Sequence, residues 1–170
     1  MRFLPPRKFR SAEQVEWAEF ADEPSFVNTG KKPRGRRAEG LRYEGKAQNY
    51  LSERLGQGYL RSPWLRFMER GADRPRWCQP DGLYIDFELG KLVIVEVKLQ
   101  HTLDAWWQLE HLYIPVIRRA FAQGIWTIAT CEVVKWYDPA VAYPVAPTLR
   151  ENIVEAAPND FSVHIWKPGR

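Results

Sequence analysis

Asp81, Glu96 and Lys98 are the residues of this 170-residue chain whose types and spacing point to chemistry. They lie in one stretch, CQPDGLYIDFELGKLVIVEVKLQ, which runs from Cys78 to Gln100. Two carboxylates near one ammonium are what phosphodiester hydrolysis asks for. Hard cations such as Mg²⁺ prefer one or two carboxylates, with water and substrate phosphate completing the shell. Such a cation polarises the phosphate and activates water near neutral pH. An ammonium beside it orients that water or offsets charge developing on the pentavalent phosphate. Asp81 and Glu96 are the candidate ligands, Lys98 the candidate ammonium, and the backbone carbonyl of Val97 a further oxygen within reach of the same cation.

A β-hairpin has to position these groups. The β-branched run Val93, Ile94, Val95 marks its second strand, and Leu89-Gly90-Lys91 breaks it from the first. Alternation puts Glu96 and Lys98 on one face and Val95 and Val97 on the other. A run this apolar is expected to be buried on both faces, where two charges are costly unless paired. Gln100 falls on the face of Glu96 and Lys98 and is expected just behind them. Upstream, Glu44 precedes Ala47, Leu51 and Leu55 at helical spacing, in a helix predicted over 39–56 and stopped by Gly56. Glu44 therefore sits on or beside the core-facing stripe, either delivered to the site or reaching solvent at its edge.

Pro80-Asp81, fourteen intervening residues, then Glu96-Val97-Lys98 resembles the PD-(D/E)XK nuclease superfamily. Glu44 matches, in type, order and helix context, the upstream helical Glu that often completes that site. The resemblance covers roughly residues 39–135. It implies a restriction-endonuclease-like fold, α/β with a central mixed sheet flanked by helices, and Mg²⁺-dependent cleavage (Mn²⁺ as a substitute), usually of DNA. It implies metal held by Asp81, Glu96, Val97 and Glu44, with Lys98 assisting the attacking water. RecB-like members carry a Gln followed four residues later by Tyr on the next helix. Here Gln108 is followed by Leu112, with Tyr113 one position late. The family's alternative is a catalytically silent nucleic-acid-binding or assembly protein of phage or mobile-element type. Related enzymes often cut as dimers, which leaves a homodimer open.

The remaining elements read as follows. Ser11 with Gln14 resembles a capping box opening an acidic helix of about ten residues that carries Glu13, Glu16, Glu19, Asp22 and Glu23. Lys31, Lys32, Arg34, Arg36 and Arg37 follow, a cluster suited to phosphate contacts through counterion release or to a solvated linker. Residues 1–38 thus form a basic arm with a short acidic helix, and 39–170 the nuclease-like domain. Arg61 and Arg66 are further phosphate-holding candidates. Residues 59–67 read as an edge strand because of Pro63. Thr102 or Asp104 caps a helix of about twenty residues with Ala105, Leu109, Leu112, Val116, Ile117 and Ala120 toward the core, kinked or divided at Pro115. Asp104, Gln108 and His111 recur on that helix and face either the site or solvent. Strands are expected at 125–134 and 161–166, and Thr148 with Glu151 signals a short helix. His101 is expected at the surface, His164 carries no signal, and Trp106 and Trp107 suit a core or interface role better than base stacking.

Composition bounds the rest. The net charge of +4 and pI near 9.1 are modest and uneven along the chain. Fourteen per cent aromatic content excludes the disordered class. No run approaches the ~18–20 apolar residues of a membrane span, and the N-terminus lacks a secretory h-region. Cys78 and Cys131 are too far apart for a CxxC unit and suit buried thiols in a cytoplasmic protein.

Overall fold

A computed structural model describes residues 10–27, 30 and 32–169. A six-stranded mixed sheet forms the centre. Its first arm is β2 (Tyr59–Arg61), β5 (Gly82–Asp86) and β6 (Lys91–Gln100), all antiparallel neighbours. Beyond β6 the pairing turns parallel through β7 (Thr127–Trp136), β9 (Phe161–Ile165) and β8 (Thr148–Leu149). The β5–β6 turn is closed by Asp86, whose Oδ1 accepts from the amides of Glu88 (3.0 Å) and Leu89 (2.9 Å), and by Gly90 at φ 61°. The side-chain alternation read from the sequence holds along β6. Val93, Val95 and Val97 face one core, Leu92 and Ile94 the other.

Helices cover both faces. α1 (Arg36–Leu55) lays Tyr43, Ala47 and Leu51 on the valine face. It stops where Gly56 adopts φ 64°, a conformation only glycine takes without strain. On the opposite face lie α2 (Leu103–Gln108), a π turn (Leu109–Tyr113) and α3 (Ile114–Ala120), which form the crossover that parallel β6 and β7 require. Pro115 divides this helix, and its missing N–H leaves the His111 carbonyl without a helical partner. The amide of Ala12 takes that carbonyl at 2.9 Å.

Several expectations are corrected. The acidic segment is a strand, β1 (Val15–Ala21), pairing antiparallel with β3 (Trp64–Glu69), which in turn pairs with β4 (Arg76–Cys78) in a separate three-stranded sheet. Val15, Trp17 and Phe20 favour the pleated surface, and across the pair Glu19 Oε1 accepts from Arg66 Nε at 3.0 Å. Gln14 bends the chain with φ 48° in place of a helical cap. The expected edge strand 59–67 divides at Ser62 (φ 47°) into β2 and β3, one in each sheet. Thr148 and Glu151 start no helix: Thr148 is in β8, and Asn152 caps a 3₁₀ turn, Ile153–Glu155, through Val154 N. α1 begins three residues before the boundary drawn at 39. No helix among the described residues is long and apolar enough to cross a membrane.

Candidate active site

Asp81, the residue before β5, is fixed by its main chain. Its carbonyl accepts from Gln48 Nε2 of α1 at 2.6 Å and from Ser62 N at 2.8 Å. Gln48 is itself buried and held by the Tyr59 hydroxyl, which donates to Gln48 Oε1 at 2.7 Å. The Tyr59 ring lies where residue 82 would carry a side chain: a Cβ on Gly82 would stand 2.2 Å from the Tyr59 oxygen. Only glycine lets that ring, Gln48 and Asp81 close on one another. The side chain of Asp81 then reaches β6, with Oδ2 accepting from Val97 N at 2.6 Å. Val97 thus engages the site through its amide, and this contact sets the Asp81 carboxylate against the strand that carries Glu96.

Glu96 is buried, and Lys98 Nζ donates to its Oε1 at 2.7 Å, as their shared strand face requires. Its second oxygen, Oε2, is buried with no hydrogen-bond partner among the described residues. A carboxylate oxygen in that position is costly unless a cation or donor meets it. Glu44, half-buried on α1, acts on the same groups through its charge. Burial raises the Glu44 pKa, and Lys98 and Arg61 pull it back down. Asp81 is pushed up well above the ordinary aspartate value by burial, then by the charges of Glu96 and Glu44. Burial likewise raises Glu96 against the opposing pull of Lys98. Burial alone would lower Lys98, yet Glu96, Asp81 and Glu132 reverse the sign, so its ammonium is held charged.

The carboxylates converge without closing a ligand shell. Among the described residues no three His, Cys, Asp or Glu side chains are gathered closely enough to hold an ion, and Lys98 takes one oxygen of Glu96. A hard cation needs fewer protein groups than that: one or two carboxylates and solvent suffice for Mg²⁺. The free Oε2 of Glu96 and the mutually repelling carboxylates fit such an ion.

Two groups escaped the sequence reading, Glu132 and Tyr143. Glu132 on β7 stands opposite Glu96 in register and is fully buried. Its Oε2 meets His101 Nδ1 at 2.8 Å, and its Oε1 accepts from Thr102 N at 3.1 Å. Tyr143 closes this cluster, donating to the Thr102 carbonyl at 2.6 Å and stacking on the His101 ring at 4.6 Å. His101 is therefore buried, not superficial, because a carboxylate from the next strand compensates its polarity. No spacing rule links residues 101, 132 and 143. Tyr113, one position late in the sequence pattern, pairs with Gln108 after all: its hydroxyl accepts from Gln108 Nε2 at 3.0 Å and donates to the Gln79 carbonyl at 3.1 Å. Its pKa is raised well above the ordinary value by burial and by the charges of Glu96 and Asp81, which places it beside them. The π turn accounts for the late position of Tyr113: i→i+5 bonding absorbs one residue, so positions 108 and 113 meet as 108 and 112 would in an α-helix.

Other candidates lie further out. Gln100 is exposed at the end of β6, and Asp104 is exposed on α2. His111 stacks on Trp107 at 4.3 Å, and Trp106 and Trp107 are buried in the core. Lys32, Arg34, Arg36 and Arg37 are exposed ahead of and within the first turn of α1; Lys31 lies outside the described residues. Arg61 lies by Glu44 and donates to Asn49 Oδ1 at 3.0 Å, whereas Arg66 is engaged by Glu19 on the other sheet. His164 is buried, its Nδ1 2.9 Å from the Arg150 carbonyl. Cys78 and Cys131 are buried free thiols, each pushed up to about 12 by burial. Comparison with family models, with curated proteins and with solved structures returns no match.

Proposed function

We propose that this chain is a divalent-metal-dependent nuclease that hydrolyses phosphodiester bonds of DNA on a restriction-endonuclease-like fold of the PD-(D/E)XK type. The observation that carries the reading is Glu96: one buried oxygen is bound to Lys98 and the other has no partner among the described residues, with the Asp81 carboxylate fixed nearby by Val97. A structural ion pair on this strand would require neither the unpaired oxygen nor two further carboxylates within electrostatic reach of it.

In this reading Asp81 and Glu96 would hold Mg²⁺ or Mn²⁺ with solvent completing the shell, and Glu44 would add negative charge nearby. When bound, the cation supplies Lewis-acid chemistry, polarising a phosphoryl oxygen and acidifying water. Lys98 keeps its proton at Nζ, because the surrounding carboxylates raise its pKa. It acts as a fixed positive donor, orienting the attacking water and offsetting charge on the phosphate, rather than as a base. Glu96 aims that ammonium. The exposed Arg36 and Arg37 favour phosphate binding over helix stability, since cations at a helix N-terminus oppose its dipole. They precede Glu44 on α1 by eight and seven residues, about 10–12 Å along the axis. Lys32 and Arg34 extend the same basic run, which suits the backbone of a bound strand.

The test is incubation with plasmid, linear and single-stranded DNA in Mg²⁺, Mn²⁺ or EDTA, beside Asp81→Ala and Lys98→Ala. Cleavage requiring metal, and falling by roughly 10²–10³-fold or more in each variant, is expected. Cleavage that survives both substitutions refutes the site. Binding without cleavage of any substrate selects the silent nucleic-acid-binding alternative.

A further inference from the structure

We propose that Trp136, flanked by Lys135 and Lys167, is a stacking platform for a base of a single-stranded polynucleotide held next to the cutting site. This rests on the nuclease reading for its place beside Lys98; the binding itself does not. Trp136 is 50% exposed at the end of β7, whereas the other tryptophan at this end, Trp166, packs on Tyr50 with ring centroids 4.7 Å apart. Among the described residues Trp136 stacks on no other ring. The groups that approach it are two ammoniums, Lys167 Nζ at 4.5 Å and Lys135 Nζ at 5.3 Å from the ring centroid. The mount is rigid: the Trp136 carbonyl accepts from His101 N at 2.8 Å, and its strand pairs with Gln100 of β6.

Register gives its relation to the site. Trp136 lies two residues beyond Val134, the partner of Lys98 on the neighbouring strand. Parallel pairing and alternation put residues 96, 98, 100, 132, 134 and 136 on one sheet face. Two residues of strand rise and one strand spacing separate the Lys98 and Trp136 backbones by about 8 Å, roughly two nucleotides of a stacked strand. An indole presenting a face, with cations beside it for the phosphates, has the chemistry of sequence-tolerant single-strand binding. In a duplex the bases are stacked on one another and cannot use such a face. The exposed amide of Gln100, opposite Trp136, is in reach of the edge of a base that does.

The assay is equilibrium anisotropy of the full chain in EDTA, where nothing is cut. The probes are a labelled oligothymidylate of about 15 nucleotides, an abasic strand of equal length and a duplex. Trp136→Ala is expected to weaken oligothymidylate binding about 5- to 150-fold and to leave the abasic strand and the duplex unchanged. Trp136→Phe keeps a stacking face and should retain most of the affinity. Lys167→Gln should weaken both single strands and reduce the salt dependence by about 0.7 of a log–log unit. The proposal is overturned by equal oligothymidylate affinity of wild type and Trp136→Ala, or by an equal loss on the abasic strand. It is also overturned by a Trp136→Phe protein as weak as Trp136→Ala, or by a wild type that binds no strand. Wild-type binding with this pattern but no cleavage in Mg²⁺ sustains the platform and overturns the nuclease reading instead.

Discussion

Gly82→Ala adds one methyl group and should disable the site from outside it. The new Cβ would stand 2.2 Å from the Tyr59 hydroxyl oxygen, 2.5 Å from Cε2 and 2.6 Å from Cζ. Ordinary contact begins near 3.4 Å, so the ring has to retreat by about 1 Å. It is buried and tethered to Gln48 at 2.7 Å, so the retreat breaks that bond and frees the amide that holds the Asp81 carbonyl at 2.6 Å. Overpacking costs about 1–3 kcal/mol and a buried polar group left unpaired about 1–3 kcal/mol, so a destabilisation of about 2–6 kcal/mol is expected. For a chain of this size that lowers Tm by roughly 4–24 °C. A misplacement of about 1 Å at a catalytic carboxylate can cost roughly 100-fold in rate. Thermal unfolding and Mg²⁺-dependent cleavage, measured below the variant's Tm, test both halves. Tyr59→Leu in the Gly82→Ala background should recover part of the stability by removing the clash, without restoring the Gln48 bond or the rate. A Gly82→Ala protein with wild-type Tm and wild-type cleavage would refute the chain from Tyr59 through Gln48 to Asp81.

Asp81→Asn keeps the shape and the Val97 contact but removes a charge that burial and two neighbouring carboxylates oppose. It should raise metal-free stability by about 0.5–2 kcal/mol and abolish the rise in Tm that Mg²⁺ gives the wild type, both read by thermal unfolding. Burial would raise Glu69, but its bonds to Arg76 (2.8 Å) and to Glu13 N (2.8 Å) bring its pKa below the usual value. The folded pKa is the lower one, so its stabilisation is present above the unfolded value near 4.5 and disappears as pH falls through the folded one. Glu69→Gln should cost about 1 kcal/mol at pH 7 and progressively less below pH ~4.5, measured by urea unfolding at each pH. Tyr113→Phe removes the link between Gln108 and the Gln79 carbonyl and should cost about 0.5–1.5 kcal/mol; an unchanged urea midpoint would count against that link.

The hairpin, its shared face for Glu96 and Lys98, and the α1 stripe were legible because local periodicity and a glycine stop determine them. Residues 15–21 were not. Their acidic side chains read as a helix surface, but the deciding partner is β3, about fifty residues downstream, and pairing outweighed propensity. Ser62 was hidden for a similar reason: Pro63 pointed to an edge strand, but not to a chain that changes sheets there. Glu132 and His101 looked ordinary because neither is unusual until β6 and β7 lie side by side. The Gln108–Tyr113 spacing looked wrong by one until the π turn absorbed the extra residue.

The crossing at Ser62 has a mechanical consequence. Its amide binds the Asp81 carbonyl, and its own carbonyl accepts from Gln79 Nε2 at 2.9 Å, so residues on both sides of Pro80 are pinned to the point where one sheet hands over to the other. Asp81 consequently sits where the two sheets meet, tied to the crossing through its carbonyl and to the large sheet through Oδ2, so both sheets share one anchor at the candidate site.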